Sequence, residues 1–567
     1  MNLVAYGNEN LLFNGNPKKT FFKAVYKKYT NFGLQRFRID FEGSKILNEK
    51  TNTVLEFKIP RYAELLYDTY LVINLPNIYS PFYNFDAEEG IDNKNGHSFS
   101  PYEFRWVEEL GSNFIEEIEV FSSGTSLARY SGEYLNCIKE RDYSNAKKDL
   151  WNQMTGNIAE INDPANAHGN VNVYPNSHFT TSGLDIEPSI RGRKIYIPIE
   201  AFFCHTSKTA LPLVALQYQE ITIRIEFKPI MDLYTINNVN EDPNPNGLSY
   251  RTRPNKNVLD HQMWRFLQAP YDEKADTSLY NKNVSDWKTD IHLTGTYVFL
   301  GQDERRIMAA EQHNILITQL YTYTFLDVSG SQIVEIESKD MIKDYMWRFR
   351  RSDAYLRNEW SNYTNWPYNN VKPMQVSLFS STNIPNPAKM FITGNIGEKT
   401  TTGAIINNYP MNLRDILIDM GISMDGVYRE KILDAGVYEY IEKYARTTGG
   451  AKRGLYCYNF CLDSNRKEYQ PSGAMNVNKF KTIAFEFNTI ETPFTPEGSN
   501  VEFICDMNGN AIGFRKTSAI LNEYNFDLYL QKMLFKFLWG IYQLEQFLVV
   551  LTLWLRVHMV IHSCCKG

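Results

Sequence analysis

Cys457 and Cys461 stand four residues apart, and in an extended chain that spacing puts both thiols on one face, as half of a zinc site would require. No second Cys or His pair follows nearby, so the reading expected of them is buried thiols. Acidic pairs occur at Glu116-Glu117, with Glu119 close by, and at Asp303-Glu304. Glycoside hydrolysis needs two carboxylates facing each other across a cleft, which adjacency along the chain does not provide. Solvated acidic edges are the simpler expectation, and a carbohydrate-active β-sandwich is the enzyme alternative. The sequence holds no Gly-x-x-x-x-Gly-Lys-Ser/Thr, no His-Glu-x-x-His and no Gly-x-Ser-x-Gly. We therefore expect no enzyme, and assign no catalytic, cofactor-binding or metal-ligating residue. Two Asn-x-Ser/Thr sequons, at Asn283 and Asn362, are weak hints of glycosylation.

Composition narrows the class further. The chain has 567 residues, 43% hydrophobic and 22% charged, which describes a globular protein able to bury more than one core. A net charge of -6 and no outstanding Lys/Arg tract argue against direct nucleic-acid binding. Seven cysteines, odd in number and scattered, argue against a disulfide framework and for a reducing compartment. The opening MNLVAYGNEN has neither a basic n-region nor a long apolar run, so synthesis and folding in the cytoplasm are expected.

The elements that would position these residues are strands. In Ile221–Phe227 the apolar residues Ile221, Ile223, Ile225 and Phe227 alternate with Thr222, Arg224 and Glu226, which predicts one buried and one wet face. Lys194–Ile199 alternates likewise, and its Pro198 marks an edge or a strand end. Further strands are expected at Ile118–Phe121, Tyr297–Leu300, Ile317–Phe325 and Ile483–Phe487, and short helices at Asp415–Met420 and Val437–Tyr444. Loop-like segments run from Asn157 to Ser182 and from Met231 to Asp286, the second read as a connection between two β domains. With 14% aromatic residues, these patterns reach two β-sandwich domains, with no repeat visible between them.

A more specific signal lies in the order of short motifs. Leu3-Val4-Ala5-Tyr6-Gly7, Asn14-Gly15-Asn16-Pro17, Thr20-Phe21-Phe22-Lys23 and Val25–Phe32 together resemble the opening of major capsid proteins of nucleocytoplasmic large DNA viruses, especially the mimivirus-like and phycodnavirus-like groups. The resemblance continues through Trp106-Val107, Leu110-Gly111, Gly132–Leu135 and Leu211–Tyr218. It extends through Val298–Leu300 with Glu304–Arg306, Gly454–Phe460, Gln470–Gly473 and Asn476, covering roughly residues 1–528.

The resemblance implies an all-β fold of two consecutive eight-stranded antiparallel jelly rolls with long loops. It divides the chain into an arm (1–31), a first jelly roll (32–229), a connection (230–286), a second jelly roll (287–530) and a tail (531–567). It implies a structural protein that trimerises into pseudo-hexagonal capsomers of an icosahedral shell. Its implied partners are itself, neighbouring capsomers, minor capsid proteins and an inner viral membrane, in a virion assembled in the host cytoplasm. A minor capsid paralogue or a carbohydrate- or receptor-binding sandwich is the alternative. The run after Pro17 is expected either to lie along a neighbouring subunit or to be an ordinary first strand and loop.

The tail departs from that family. Asn525–Tyr529 reads as the last strand. Phe537, Ile541, Leu544, Leu548, Leu551 and Leu555 then follow helical spacing. Lys536, Glu545 and Arg556 interrupt the run, so it is too short to span a bilayer cleanly. Three readings of the tail stand, in this order: a shifted reading frame, contact with a membrane surface, and a metal site from His558, His562, Cys564 and Cys565. The tail is expected to be a short helix, dispensable for folding.

Overall fold

The computed structural model describes residues 15–43, 46–80, 102–171, 173–179, 186–216, 218–238, 251–269, 281, 287–311, 313–366, 413–490, 501–505, 511–516 and 523–538. Strands dominate, and sixteen of them build two sandwiches. The first contains β1 (Phe32–Ile39), β2 (Thr53–Lys58), β3 (Leu65–Asn74), β4 (Ile115–Ser122), β5 (Thr125–Ser131), β6 (Lys194–Pro198), β7 (Ile221–Phe227) and β8 (His292–Leu300). The second contains β9 (His313–Val328), β10 (Ser331–Ile336), β11 (Met341–Arg351), β12 (Leu417–Met424), β13 (Val427–Asp434), β14 (Leu455–Asn459), β15 (Ile483–Thr489) and β16 (Tyr524–Leu538).

Both sandwiches are wound the same way. In the first, one sheet runs β1-β8-β3, with β6 and Leu211–Pro212 sharing the far edge of β3, and the other runs β2-β7-β4-β5. In the second, one sheet runs β9-β16-β11-β14, with Met475–Asn476 also on β11, and the other runs β10-β15-β12-β13. All these pairings are antiparallel. Each sheet thus interleaves early and late strands, so neither sandwich closes until its last strand arrives.

Alternation places the cores. β7 buries every second residue, as its sequence requires, and β15 repeats the pattern with Ile483, Phe485 and Phe487 inside. Phe57, Leu71, Ile118, Ile223 and Tyr297 fill the first core, and Trp347, Phe349, Met420, Phe485 and Phe526 the second. The same hairpin recurs at the same place in both domains. Ser123-Gly124 joins β4 to β5 and Asp425-Gly426 joins β12 to β13, each with both residues at positive φ. That is the two-residue turn whose twist matches paired strands, and glycine takes its second position without strain.

The structure corrects several sequence expectations. His292–Leu300, which the 287 boundary assigns to the second domain, pairs with β1 from Leu293 to Leu300 and with β3, so it belongs to the first sandwich. Asp415–Met420 is not a helix: Leu417–Met424 is a strand whose register with β15 shifts between Leu417 and Asp419, which breaks the alternation and mimics helical spacing. The last strand does not end near Tyr529 but continues to Leu538, pairing with β9 as far as His313. Residues 531–538 are therefore strand rather than helix; the rest of the tail lies outside the described residues. Helices α1 (Gly132–Asp142) and α2 (Asn145–Thr155) occupy positions where no helix is expected. The helix over Val437–Tyr444 is present, as a π turn running into Glu442–Arg446. Lys194–Pro198 is an edge strand, as its proline implies.

Candidate functional site

The most elaborate constellation of side chains is the seam between the sandwiches, and it starts from α1. Ser131 caps the helix by accepting a hydrogen bond from the Tyr134 amide at 3.2 Å. Gly132 opens it, because a Cβ there would sit 2.0 Å from the Ser112 carbonyl oxygen and 2.3 Å from that of Ile115. With no side chain at 132, α1 sinks between the domains and nearly all of it is buried.

From α1, charged groups reach the second sandwich. Glu133 pairs with Arg348, with Arg350 at 3.0 Å and with Lys228 at 3.3 Å. Arg348 also reaches Asp527 at 3.1 Å and donates to the Tyr363 hydroxyl at 2.9 Å. Arg141, fully buried, binds Asp142 at 2.7 Å and Asp344 at 2.9 Å. Ser464 donates to Asp142 at 2.9 Å, and the Gly449 amide to the Arg141 carbonyl at 2.8 Å. Below α1, Asn358 donates to the Met231 and Tyr234 carbonyls, and Trp360 to that of Asp232, each at 2.8 Å.

These groups lie on strands buried on both faces. On β11, Tyr345, Trp347 and Phe349 enter the second core, while Asp344, Met346 and Arg348 turn toward the first domain. Burial alone would lower the Arg348 pKa, but Tyr529, Tyr363 and Asp527 together raise it above its ordinary value. Buried ion pairs gain little net stability over apolar packing, whereas removing one partner is costly, so a seam of this kind fixes one relative placement of the domains.

Burial pushes the Glu140 carboxyl up, but Lys139, Lys452 and Lys148 overcome it and hold it at about 2. Its Oε1 lies 3.0 Å from Lys139 and its Oε2 2.9 Å from Lys148. A folded pKa below the unfolded one stabilises above about pH 4.5, and the contribution is lost as pH falls toward 2. The drop from 4.5 to about 2 corresponds to about 3 kcal/mol. E140Q is expected to remove that share of the acid sensitivity. Denaturant titrations at about pH 5 and pH 2.5 measure it, and an unchanged difference between the two pH values would count against the pairing.

The chemistry-bearing residues of the sequence are not brought together. Glu116, Glu117 and Glu119 sit along β4; Glu117 pairs with Arg129 and Glu116 lies 3.7 Å from Lys228. Asp303 and Glu304 occupy the first turn of helix Gln302–Ala310, a different element from β4. Cys137, Cys457 and Cys461 are buried free thiols, and Cys204 is half-buried. Burial pushes Cys137 and Cys457 up to about 12 and Cys461 up to about 11, which keeps them neutral and unreactive. Asn362 spends its side-chain amide on Glu359 at 3.1 Å and on the Trp366 carbonyl at 2.7 Å. Asn283, His558, His562, Cys564 and Cys565 lie outside the described residues. Among the described residues no His/Cys/Asp/Glu group could hold a metal, and no helix is long and apolar enough to cross a membrane.

Several large apolar side chains remain exposed. In the arm, Phe21 and Phe22 are 101% and 100% exposed and Tyr26 91%. On the strands of the β10-β15-β12-β13 sheet, Ile333, Ile418, Val427, Tyr428 and Ile432 are exposed. Exposed apolar patches of this kind mark surfaces that meet other molecules.

Comparison with known proteins gives these surfaces a context. Residues 20–263 match a family model described as the major capsid protein N-terminus. The chain is 26% identical to the major capsid protein of Chrysochromulina ericina virus over 61% of its own length and 56% of that protein. It is 22% identical to that of Phaeocystis pouchetii virus, over 86% of this chain and 92% of the relative. The chain thus spans about half the length of the first relative and nearly all of the second. Among solved structures, it superposes on a chain of the PBCV-1 virus capsid with a TM-score of 0.54 at 15% identity, covering 91% of this chain and 96% of that one. The Faustovirus major capsid protein gives 0.54 at 14% identity, over 92% and 93%. The ordered motifs, the family model over residues 20–263 and the paired sandwiches agree: the chain is similar to the major capsid proteins of nucleocytoplasmic large DNA viruses and shares their double jelly-roll fold.

Proposed function

We propose that this chain is a structural shell protein that trimerises into pseudo-hexagonal capsomers tiling the icosahedral capsid of a large DNA virus. The observation that carries this reading is the likeness to a viral capsid chain along almost the whole of both chains. Each domain is read as one eight-stranded jelly roll, the first within residues 32–300 and the second within 313–538, a reading supported by the strand order the two sandwiches share. Three chains of two like domains supply six similar blocks, which gives a pseudo-sixfold outline.

The seam supports the reading, because a shell block must hold its two halves at one fixed angle. The exposed faces support it too. The aromatic arm and the exposed apolar residues of the β10-β15-β12-β13 sheet suit contacts between copies, where aromatic residues are enriched. The partners proposed are further copies, neighbouring capsomers, minor capsid proteins and the inner viral membrane, in a virion assembled in the host cytoplasm. No enzymatic role and no direct nucleic-acid contact is proposed.

Light scattering on the purified full chain is expected to give three times the 66.0 kDa of one chain. A monomeric mass at micromolar concentration, together with turnover on glycans lost on substituting one carboxylate, would favour a carbohydrate-active enzyme instead.

A further inference from the structure

Beside the seam a cavity of about 260 Å³ opens between the domains. The first domain lines it with residues from Phe202 to Thr209. The second lines it with β9 and with the loop from Asp463 to Ser472, which carries the Gln470-Pro471-Ser472 turn. Arg466 enters from that loop. Its Nε and Nη1 are buried, and neither has a hydrogen-bond partner among the described residues. The guanidinium carbon lies 5.8 Å from the centre of the Tyr134 ring.

The carboxylates whose field reaches Arg466 are Glu200 and Asp142. Both are engaged: Glu200 accepts from the Tyr143 hydroxyl, and Asp142 is held by Arg141 and Ser464. Asp463, in the lining, accepts from the Asn465 amide at 2.8 Å, and Glu468 is exposed.

The rest of the surroundings adds positive charge. Lys343 is buried, with one donor on the Ser464 carbonyl at 2.9 Å and further donors to spare, and Lys208 stands at the rim. Burial, reinforced by Arg466, Lys343 and Lys467, pushes His205 well below its usual range. Burial and the neighbouring Lys467 lower Lys147 to about 8.

A buried guanidinium with idle donors is costly, and because Nε and Nη1 open onto different edges of the fork, a compact anion with several acceptor oxygens suits them better than a single planar carboxylate. We propose that this cavity binds a small oxyanion of the phosphate class, with Arg466 as its principal donor and Lys343 and Lys208 as supporting charges. Nothing in the shell-forming role requires this site, so the two stand or fall separately.

The test is thermal unfolding of the full chain in inorganic phosphate against chloride at matched ionic strength. Low millimolar phosphate is expected to raise Tm saturably, below the range where phosphate stabilises proteins in general by exclusion. R466M is expected to weaken the apparent phosphate affinity ~10-fold or more, the loss typical of one charge-assisted hydrogen bond. If R466M does not fold, R466K and K208Q must each weaken the response. The proposal is overturned by the absence of a saturable response in the unsubstituted chain, or by the same response in the Arg466 variants, either of which leaves water as the partner of Arg466.

Discussion

R348M is expected to lower the stability of the chain by about 3–5 kcal/mol, the cost of leaving buried charges without their partner. Arg348 is almost wholly buried and joins both domains. It holds Asp527 through Nε at 3.2 Å and Nη2 at 3.1 Å, Tyr363 through Nη1, and Glu133 of α1. Without it, Glu133 keeps Arg350 and Lys228, but among the described residues Asp527 keeps only Thr324 at 2.9 Å and a 4.0 Å approach from Arg350. The loss should therefore fall mainly on Asp527, and R348M/D527N should recover a large part of it. Guanidinium denaturation of the two variants measures both effects. A loss below about 1 kcal/mol for R348M would mean that the seam admits water and behaves as a surface pair.

Truncation after Leu530 is expected to prevent the second sandwich from closing. It removes residues 531–538, which pair with His313–Leu320 of β9, and two of them, Gln531 and Lys532, are buried. Each lost ladder bond is worth ~1 kcal/mol net, and the bared stretch of β9 leaves buried backbone groups unpaired. A loss on the order of 5 kcal/mol or more follows from the ladder alone. Truncation after Leu538 keeps the ladder whole and is the matched comparison. Circular dichroism melts separate the two, and equal stability of both truncations would restore the sequence expectation that everything after Leu530 is dispensable.

The reason that expectation fails is instructive. Lys532, Lys536 and Gln531 interrupt an apolar run, and a helical seam begins at Phe537, so the sequence pattern changes period before the strand ends. Pairing with a sixteen-residue partner, β9, overrides that local pattern. Strands with clean alternation, such as Ile221–Phe227 and Ile483–Phe487, were legible because each needs only one buried face. The boundary at residue 287 was not legible, because β8 finds its partners β1 and β3 far away in sequence.

The seam was hidden for a different reason. Asp527 in Asn525–Tyr529 and Arg348 in β11 alternate with core residues as solvent-facing charges do; only the neighbouring domain turns that wet face into a buried one. A signal was present nonetheless. Asp344, Arg348, Asp527 and Gln531 concentrate opposite charges and an amide on two strands that also carry Tyr345, Trp347, Phe349, Tyr524 and Phe526 of the second core. The hairpins Ser123-Gly124 and Asp425-Gly426 were likewise available as short-range turn signals at equivalent places in the two domains.

Negative-stain imaging of the purified full chain tests the central claim most directly. Uniform particles with a pseudo-hexagonal outline and threefold symmetry are the predicted result. Single two-lobed particles at the same concentration, or rings of any other symmetry, would contradict it.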